Sequence, residues 1–112
     1  MFDLKKYLGV WYEIGRTPNF FEEENSYNVT AEYSLNKDGD VLVLNKETRK
    51  DGKIHEKRGV AKVISPGKSI FKAIINFEGI PFPGNYNIIY ITDNYDIAIV
   101  YGNNDMLWIL SR

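Results

Sequence analysis

The sequence predicts an all-β fold, an eight-stranded antiparallel up-and-down β-barrel formed by one domain over residues 1–112. Aromatic residues make up 14% of the chain, and these residues suit the half-buried surface of a sheet. Eight strand-like runs follow one another, and short turns rich in Gly, Asp and Pro separate most of them. Short connections pair neighbouring strands antiparallel, and a meander of eight strands can close into a barrel without exposed edges.

Each predicted strand carries either an alternation of apolar and polar residues or a short apolar run. In chain order, the predicted strands are residues 9–16, 26–36, 41–49, 54–64, 69–77, 85–92, 96–102 and 106–112. The second strand has the clearest alternation, because one face is expected to carry Tyr27, Val29, Ala31, Tyr33 and Leu35. This face is predicted to point into the barrel.

Small residues on the inward faces predict a hollow interior. Gly59 and Ala61 lie on the fourth strand, and Ala73 lies on the fifth between Phe71 and Ile75. A barrel of about eight strands has an interior that can hold one small ligand. A two-sheet sandwich is the main alternative fold, and it would leave no such cavity.

The two long connections are predicted to lie at the same end of the barrel. In a meander every second turn shares an end, which places 17–25 beside 78–84. Their large apolar side chains are Phe20, Phe21, Ile80 and Phe82. Such a cluster at one end of a hollow barrel is typical of an entrance for an apolar ligand. The alternative is a plug, in which the same side chains fold inward over the core.

Composition argues against several classes of function. The net charge of −1 argues against a nucleic-acid partner, and the absence of cysteine excludes thiolate metal sites and cysteine nucleophiles. The single histidine, His55, lies beside Glu56 and Lys57, and we interpret it as a solvated strand residue. No nucleotide-binding Gly loop or nucleophile elbow is present. We therefore predict no enzymatic activity, no cofactor and no metal site.

A basic hairpin between residues 46 and 62 has its tip at the predicted mouth end. Lys50 and Lys53 at this tip are candidates to meet a carboxylate or phosphate headgroup, or the surface of a membrane. The same lysines are equally consistent with ordinary charge on a strand edge. Both interpretations stay open.

The opposite end carries three ordered motifs: GVW at 9–11, TDNY at 92–95 and LWILSR at 107–112. Their characteristic residues are Gly9, Trp11, Thr92, Asp93, Tyr95 and Arg112. Together they resemble the motifs of the lipocalin family, in its bacterial-lipocalin and apolipoprotein D-like form. The resemblance implies a lipocalin-like calyx in which Arg112 packs on the ring of Trp11 as a structural contact.

Lipocalins usually continue past this arginine with an α-helix on the barrel wall, whereas the sequence given ends at Arg112. The predicted strands 9–16, 96–102 and 106–112 are apolar on both faces, which leaves an outer wall that needs cover. We expect a second copy to cover it in a homodimer, or the chain to be shortened. The compartment is extracytoplasmic, periplasmic or secreted, if a signal was removed, and cytoplasmic if Met1 is the native start.

The predicted function is non-enzymatic binding, with transport or storage, of a fatty acid, lysophospholipid or similar small ligand inside the barrel. Each buried CH₂ group contributes about 0.8 kcal/mol. The expected wall residues are Tyr33, Val43, Asn45, Ala61, Phe71, Ala73, Ile75 and Tyr86. Asn45 or Glu13 is expected to hold a polar end of the ligand. The alternative is an interaction or structural protein with a collapsed barrel that acts through its apolar outer wall.

Overall fold

A short helix and eight strands make up the fold of this computed structural model, which describes residues 2–17, 26–102 and 106–112. The elements are α1 (Leu4–Tyr7), β1 (Gly9–Arg16), β2 (Tyr27–Leu35), β3 (Val41–Thr48), β4 (Ile54–Ile64), β5 (Phe71–Phe77), β6 (Gly84–Ile91), β7 (Ile97–Tyr101) and β8 (Leu107–Ser111). Each strand pairs antiparallel with its chain neighbours, and β8 pairs with β1. The predicted eight-stranded barrel is confirmed, and the two-sheet alternative is excluded.

Turn chemistry explains why the strands begin and end close to their predicted limits. The hairpins between β2 and β3 and between β3 and β4 contain Gly39 and Gly52, whose φ angles are +84° and +83°. Glycine adopts this left-handed conformation without strain, so each hairpin can reverse the chain in a few residues. The end of the barrel where β1 begins and β8 ends is called the closed end below, and the other is the mouth end.

One predicted face is interrupted near the start of β2. Asn28 has a φ angle of +51°, and the pairing of β2 with β3 shifts between Tyr27 and Thr30. Such a bulge changes the direction of the side chain before it. Tyr27 is therefore half exposed, whereas the alternation of the strand predicted that it points into the barrel. Asn tolerates the left-handed region better than most residues, which favours a bulge at this position.

The helix α1 was not predicted, and it fills the closed end of the barrel. Its N-cap is Asp3, whose side chain accepts a hydrogen bond from the Lys5 amide (3.1 Å). Tyr7 is fully buried, and the ring of Phe2 lies 4.9 Å from the ring of Phe71 inside the barrel. In the part of the chain that the structure describes, no helix is long and apolar enough to cross a membrane.

Candidate ligand-binding site

Trp11 and Arg112 meet at the closed end. The guanidinium carbon of Arg112 lies 4.0 Å from the centroid of the Trp11 ring, and Trp11 Nε1 donates a hydrogen bond to the Tyr7 carbonyl (2.7 Å). The guanidinium also donates hydrogen bonds of 2.8–3.0 Å to the carbonyls of Lys6, Leu8 and Val10. The geometry joins the last strand to the first strand and the helix, and it leaves Trp11 fully buried.

The second motif holds the turn between β6 and β7 against the helix. Thr92 Oγ1 accepts hydrogen bonds from the amides of Asp96 (2.9 Å) and Ile97 (3.1 Å). Tyr95 has a φ angle of +58°, and its hydroxyl accepts a hydrogen bond from the Asp3 amide (2.8 Å). Asp93 is exposed at the surface of the same turn. Gly9, the remaining motif residue, has a φ angle of +104° and faces Arg112.

Three tyrosine hydroxyls form a polar floor across the lower barrel. Tyr86 donates a hydrogen bond to the hydroxyl of Tyr33 (2.9 Å), and the hydroxyls of Tyr7 and Tyr86 share a second, short one. Burial raises the pKa of Tyr33 to about 12. Burial also raises the pKa values of Tyr7 and Tyr86 well above that of an ordinary tyrosine. The floor is therefore neutral at physiological pH.

A cavity lies above this floor, toward the mouth end. The centre of a water molecule can occupy about 100 Å³ of this cavity. The total empty space, which includes the part that opens to solvent, is about 950 Å³. Five residues of the predicted binding set line it: Tyr33, Val43, Asn45, Ile75 and Tyr86. Three further residues, which were not predicted, form the wall on β7 and β8: Val100, Trp108 and Leu110. Their strands are apolar on both faces, so alternation alone could not select the inward one.

The other predicted wall residues, Ala61, Phe71 and Ala73, do not line this cavity. They border a pocket of about 10 Å³ beneath the floor, together with Leu4 and Tyr7. The small side chains do leave space in the lower barrel, but the N-terminal segment occupies it. The depth available to a ligand is correspondingly smaller than the sequence predicts.

The predicted entrance residues lie near the mouth end but not on the cavity wall. Phe82 is half exposed, Ile80 is partly buried, and neither lines the cavity. Phe77, at the end of β5, does line it. Phe20 and Phe21 lie outside the described residues, so an apolar entrance stays a prediction.

The headgroup candidates Lys50 and Lys53 are exposed at the tip of the β3–β4 hairpin and do not line the cavity. The basic residues on the wall are Lys46 and Lys57 instead. His55 lies on β4, lines the cavity and is partly buried, a position that was not predicted. The described residues contain no group of three or more His, Cys, Asp or Glu side chains that could hold a metal ion.

A carboxylate that the sequence analysis missed is buried in the upper wall. Glu47 is 6% exposed, and its Oε1 accepts a hydrogen bond from Arg49 Nε (3.0 Å). The alternation of β3 explains its position, since Val43, Asn45 and Glu47 share the inward face. Glu47 Oε2 and Asn45 Oδ1 are buried without a hydrogen-bond partner in the described part of the chain. Glu13, on β1, also lines the cavity and forms a salt bridge with Arg16 (2.8 Å).

The fold is a closed antiparallel barrel with a plugged lower end and a hollow upper half, an architecture with room for one small ligand. The lipocalin-like domain family matches residues 2–112, and the chain belongs to the lipocalin family. Members of this family are generally binding and transport proteins for small hydrophobic ligands. The resemblance of the three closed-end motifs is thereby confirmed.

The chain is 41% identical over 112 residues to the outer membrane lipoprotein Blc of Citrobacter freundii, and covers 62% of that protein. It is 39% identical over 119 residues to apolipoprotein D of Rattus norvegicus, and covers 61% of it. Both matches include 99% of this chain. The chain thus spans less than two thirds of the length of either relative.

Solved structures agree with this fold. Apocrustacyanin C1 superposes with a TM-score of 0.75 at 23% identity, over 98% of this chain and 62% of the other. The cockroach allergen Per a 4 has a TM-score of 0.71 at 25% identity, over 98% of this chain and 68% of its own. The apocrustacyanin match supports the fold alone.

Proposed function

We propose that this chain binds a small hydrophobic or amphipathic ligand, such as a fatty acid or lysophospholipid, inside the barrel and transports or stores it unchanged. The observation that carries the proposal is the hollow upper half of the barrel, which has an apolar lower wall. Val43, Ile75 and Leu110 supply much of this apolar surface. Burial of an acyl chain there would contribute about 0.8 kcal/mol for each CH₂ group.

The polarity of the wall supports one orientation for such a ligand. Strand β3 runs from the closed end to the mouth end, and its inward residues change from Val41 and Val43 to Asn45 and Glu47. On β4, His55 and Lys57 lie nearer the mouth than Ala61. An amphipathic ligand would therefore place its apolar tail along the apolar lower wall, toward the tyrosine floor, and its polar end among these residues.

Native mass spectrometry of the purified protein, followed by extraction of anything bound, tests the proposal first. We expect a lipid of defined mass in a fixed ratio to the barrel, or uptake of added lysophospholipid. Ala31→Phe places a ring in the cavity and should weaken uptake, whereas Glu32→Phe places the same ring on the outer face and should not. An empty protein that refuses every added lipid would contradict the proposal.

We propose that binding is not followed by a chemical step. Glu13 and Glu47, the two carboxylates on the wall, each form a salt bridge with an arginine. This arrangement suits ligand binding better than general acid–base catalysis. Long incubation with a lysophospholipid, followed by mass analysis of the products, should return the starting compound. Release of a free acyl chain at a rate that depends on protein concentration would contradict this.

Lys50 and Lys53 remain candidates for a headgroup or membrane contact at the mouth end. Their exposure on a hairpin tip supports contact with a group outside the cavity. The double variant Lys50→Glu, Lys53→Glu should weaken binding of an anionic lipid or of anionic vesicles, and Lys68→Glu in the opposite turn should not. Unchanged affinity would remove this role.

The apolar outer wall supports the second candidate function, an interaction or structural protein that dimerises or binds a partner through this face. Tyr12 is 53% exposed and Ile14 is 61% exposed on the outer face of β1. We propose that a second copy covers this surface. Light scattering at high concentration should detect a dimer that Ile14→Lys dissociates. A monomer at all concentrations would contradict the dimer and leave ligand binding untouched.

A further inference from the structure

Two acceptor atoms in the cavity wall receive no hydrogen bond from the described residues. Asn45 and Glu47 are two positions apart on β3, so their side chains lie on the same inward face. Glu47 is 6% exposed, and Arg49 bonds only to its Oε1. Glu47 Oε2 and Asn45 Oδ1 are both buried and unpaired among the residues that the structure describes.

An unpaired buried acceptor is costly, and a carboxylate oxygen is among the most costly. A carboxylate can only accept hydrogen bonds, and a ligand that enters the cavity with a donor can supply the one that the described residues do not. Besides the hydroxyls of Tyr33 and Tyr86, the other charged or titratable groups on this wall are Glu13, Lys46, His55 and Lys57, and no described residue donates to Glu47 Oε2. A ligand that donates at this point recovers the lost interaction, whereas a ligand that only accepts adds repulsion.

We propose that Asn45 and Glu47 select the polar end of the ligand, and that they take long-chain amphiphiles that end in a hydroxyl, amide or ammonium donor. This inference rests on the proposed function and names the class of ligand for its cavity. The inference narrows the ligands proposed above: a free fatty acid, whose ionised end carries two acceptors and no donor, is disfavoured relative to an amphiphile whose polar end carries a donor. A charge-assisted bond from an ammonium group should be the strongest of the donor contacts.

Calorimetric titration of the full chain with dodecylamine, dodecanol and dodecanoate tests the selection at constant chain length. We expect the amine and the alcohol to bind about tenfold to a hundredfold more tightly than the carboxylate, the range typical of a hydrogen bond to a charged group. Equal affinities for the three, or tighter binding of dodecanoate, would overturn the inference while the proposed carrier function stands. Failure of all three to bind would overturn both.

Glu47→Gln assigns the selectivity to this side chain, because it removes the negative charge and keeps the shape. The variant should lose most of the preference for dodecylamine over dodecanoate. Glu56→Gln is the matched control. Like Glu47, Glu56 pairs with the arginine two positions later in the chain (Arg58, 3.5 Å), but Glu56 lies on the outer face of the barrel. An unchanged preference in Glu47→Gln, or an equal loss in Glu56→Gln, would overturn the inference. The comparison of the three ligands on the unmodified chain needs no variant to fold.

Discussion

At the scale of single residues, Arg112 contributes more than its exposed position suggests. Its guanidinium stacks on Trp11 and donates to three carbonyls, which belong to α1, the residue after it and β1. We predict that Arg112→Ala lowers the free energy of unfolding by about 2 kcal/mol, from the lost cation–π contact and hydrogen bonds. Urea denaturation measures this.

The matched control is Arg58→Ala, because Arg58 is an exposed arginine with one long ion pair (3.5 Å). Surface pairs of this kind contribute little, so its effect should stay within about 0.5 kcal/mol. Equal effects of the two substitutions would show that the contacts of Arg112 carry no special weight.

The buried hydroxyl of Tyr33 makes the free energy of unfolding depend on pH in the alkaline range. Its pKa in the folded chain is about 12, whereas an unfolded tyrosine has a pKa of about 10. Below pH of about 10 both states keep the proton, and this stabilisation is complete. As pH rises from about 10 to about 12, the unfolded chain loses its proton first, so the free energy of unfolding falls.

We predict that Tyr33→Phe reduces the loss of stability between pH of about 9 and about 11, by about 1 kcal/mol. Urea denaturation at the two pH values measures the difference. Tyr12→Phe, which removes a hydroxyl from the exposed outer face, is the control and should keep the full loss. Tyr7 and Tyr86 keep part of the loss in Tyr33→Phe, and a loss as large as in the unmodified chain would contradict the prediction.

Apart from Asn45, the candidate site could be predicted from the sequence where apolar alternation marked the wall. Val43, Ile75 and Tyr86 were found in this way, and they line the cavity. Glu47 and His55 were missed because charged and polar residues in a basic stretch look like a solvated face. Their inward direction depends on strand parity, and parity applied to every residue of β3 and β4 would have found both.

At the scale of elements, Gly59 sets how closely β4 and β5 approach. A Cβ atom at this position would lie 2.8 Å from Phe77 Cδ1 and 2.9 Å from the Asn76 carbonyl oxygen. The backbone oxygen cannot move without distorting the strand pairing, so we predict that Gly59→Ala lowers the free energy of unfolding by about 1–3 kcal/mol. Thermal or urea unfolding measures this.

Gly84 provides the control on a neighbouring strand, because the nearest atom to its added Cβ would be 3.9 Å away. Gly84→Ala should leave stability unchanged or raise it by up to about 1 kcal/mol, through the lower entropy of the unfolded chain. If Gly59→Ala were equally harmless, the close approach of β4 and β5 would have no structural importance.

The strands were predictable because their signals are local. Alternation and Asp-Gly or Pro-Gly pairs lie within a few residues of each boundary. The helix α1 has only four residues, too few for a helical period, and its stability depends on burial of Tyr7 beside distant strands. The bulge at Asn28 likewise depends on the pairing of β2 with β3, which sequence patterns do not specify.

At the scale of the molecule, the barrel divides into a filled lower half and a hollow upper half. The tyrosine floor separates them, with the N-terminal segment below and the polar wall above. The two tryptophans report on the two halves separately. Trp11 is fully buried against Tyr7 at the closed end, with 4.9 Å between ring centroids, and Trp108 lines the cavity near the mouth end.

Fluorescence quenching by brominated dodecanol can therefore test the direction of the ligand, because bromine quenches a tryptophan only near contact. We predict that dodecanol with bromine on C2, beside the carbon that carries the hydroxyl, quenches Trp108 more strongly than dodecanol with bromine on C12, at the far end of the chain. The polar end lies in the upper wall that Trp108 shares, whereas the tail reaches the floor.

Trp108→Phe supplies the control, since it leaves only Trp11, which the tyrosine floor and α1 separate from the cavity. Neither bromine position should quench this variant strongly. Stronger quenching of Trp108 by the far-end bromine would mean that the ligand enters with its polar end first. The polar upper wall would then not orient the ligand, and the hydroxyls of Tyr33 and Tyr86 on the floor would be the contacts that receive its polar end.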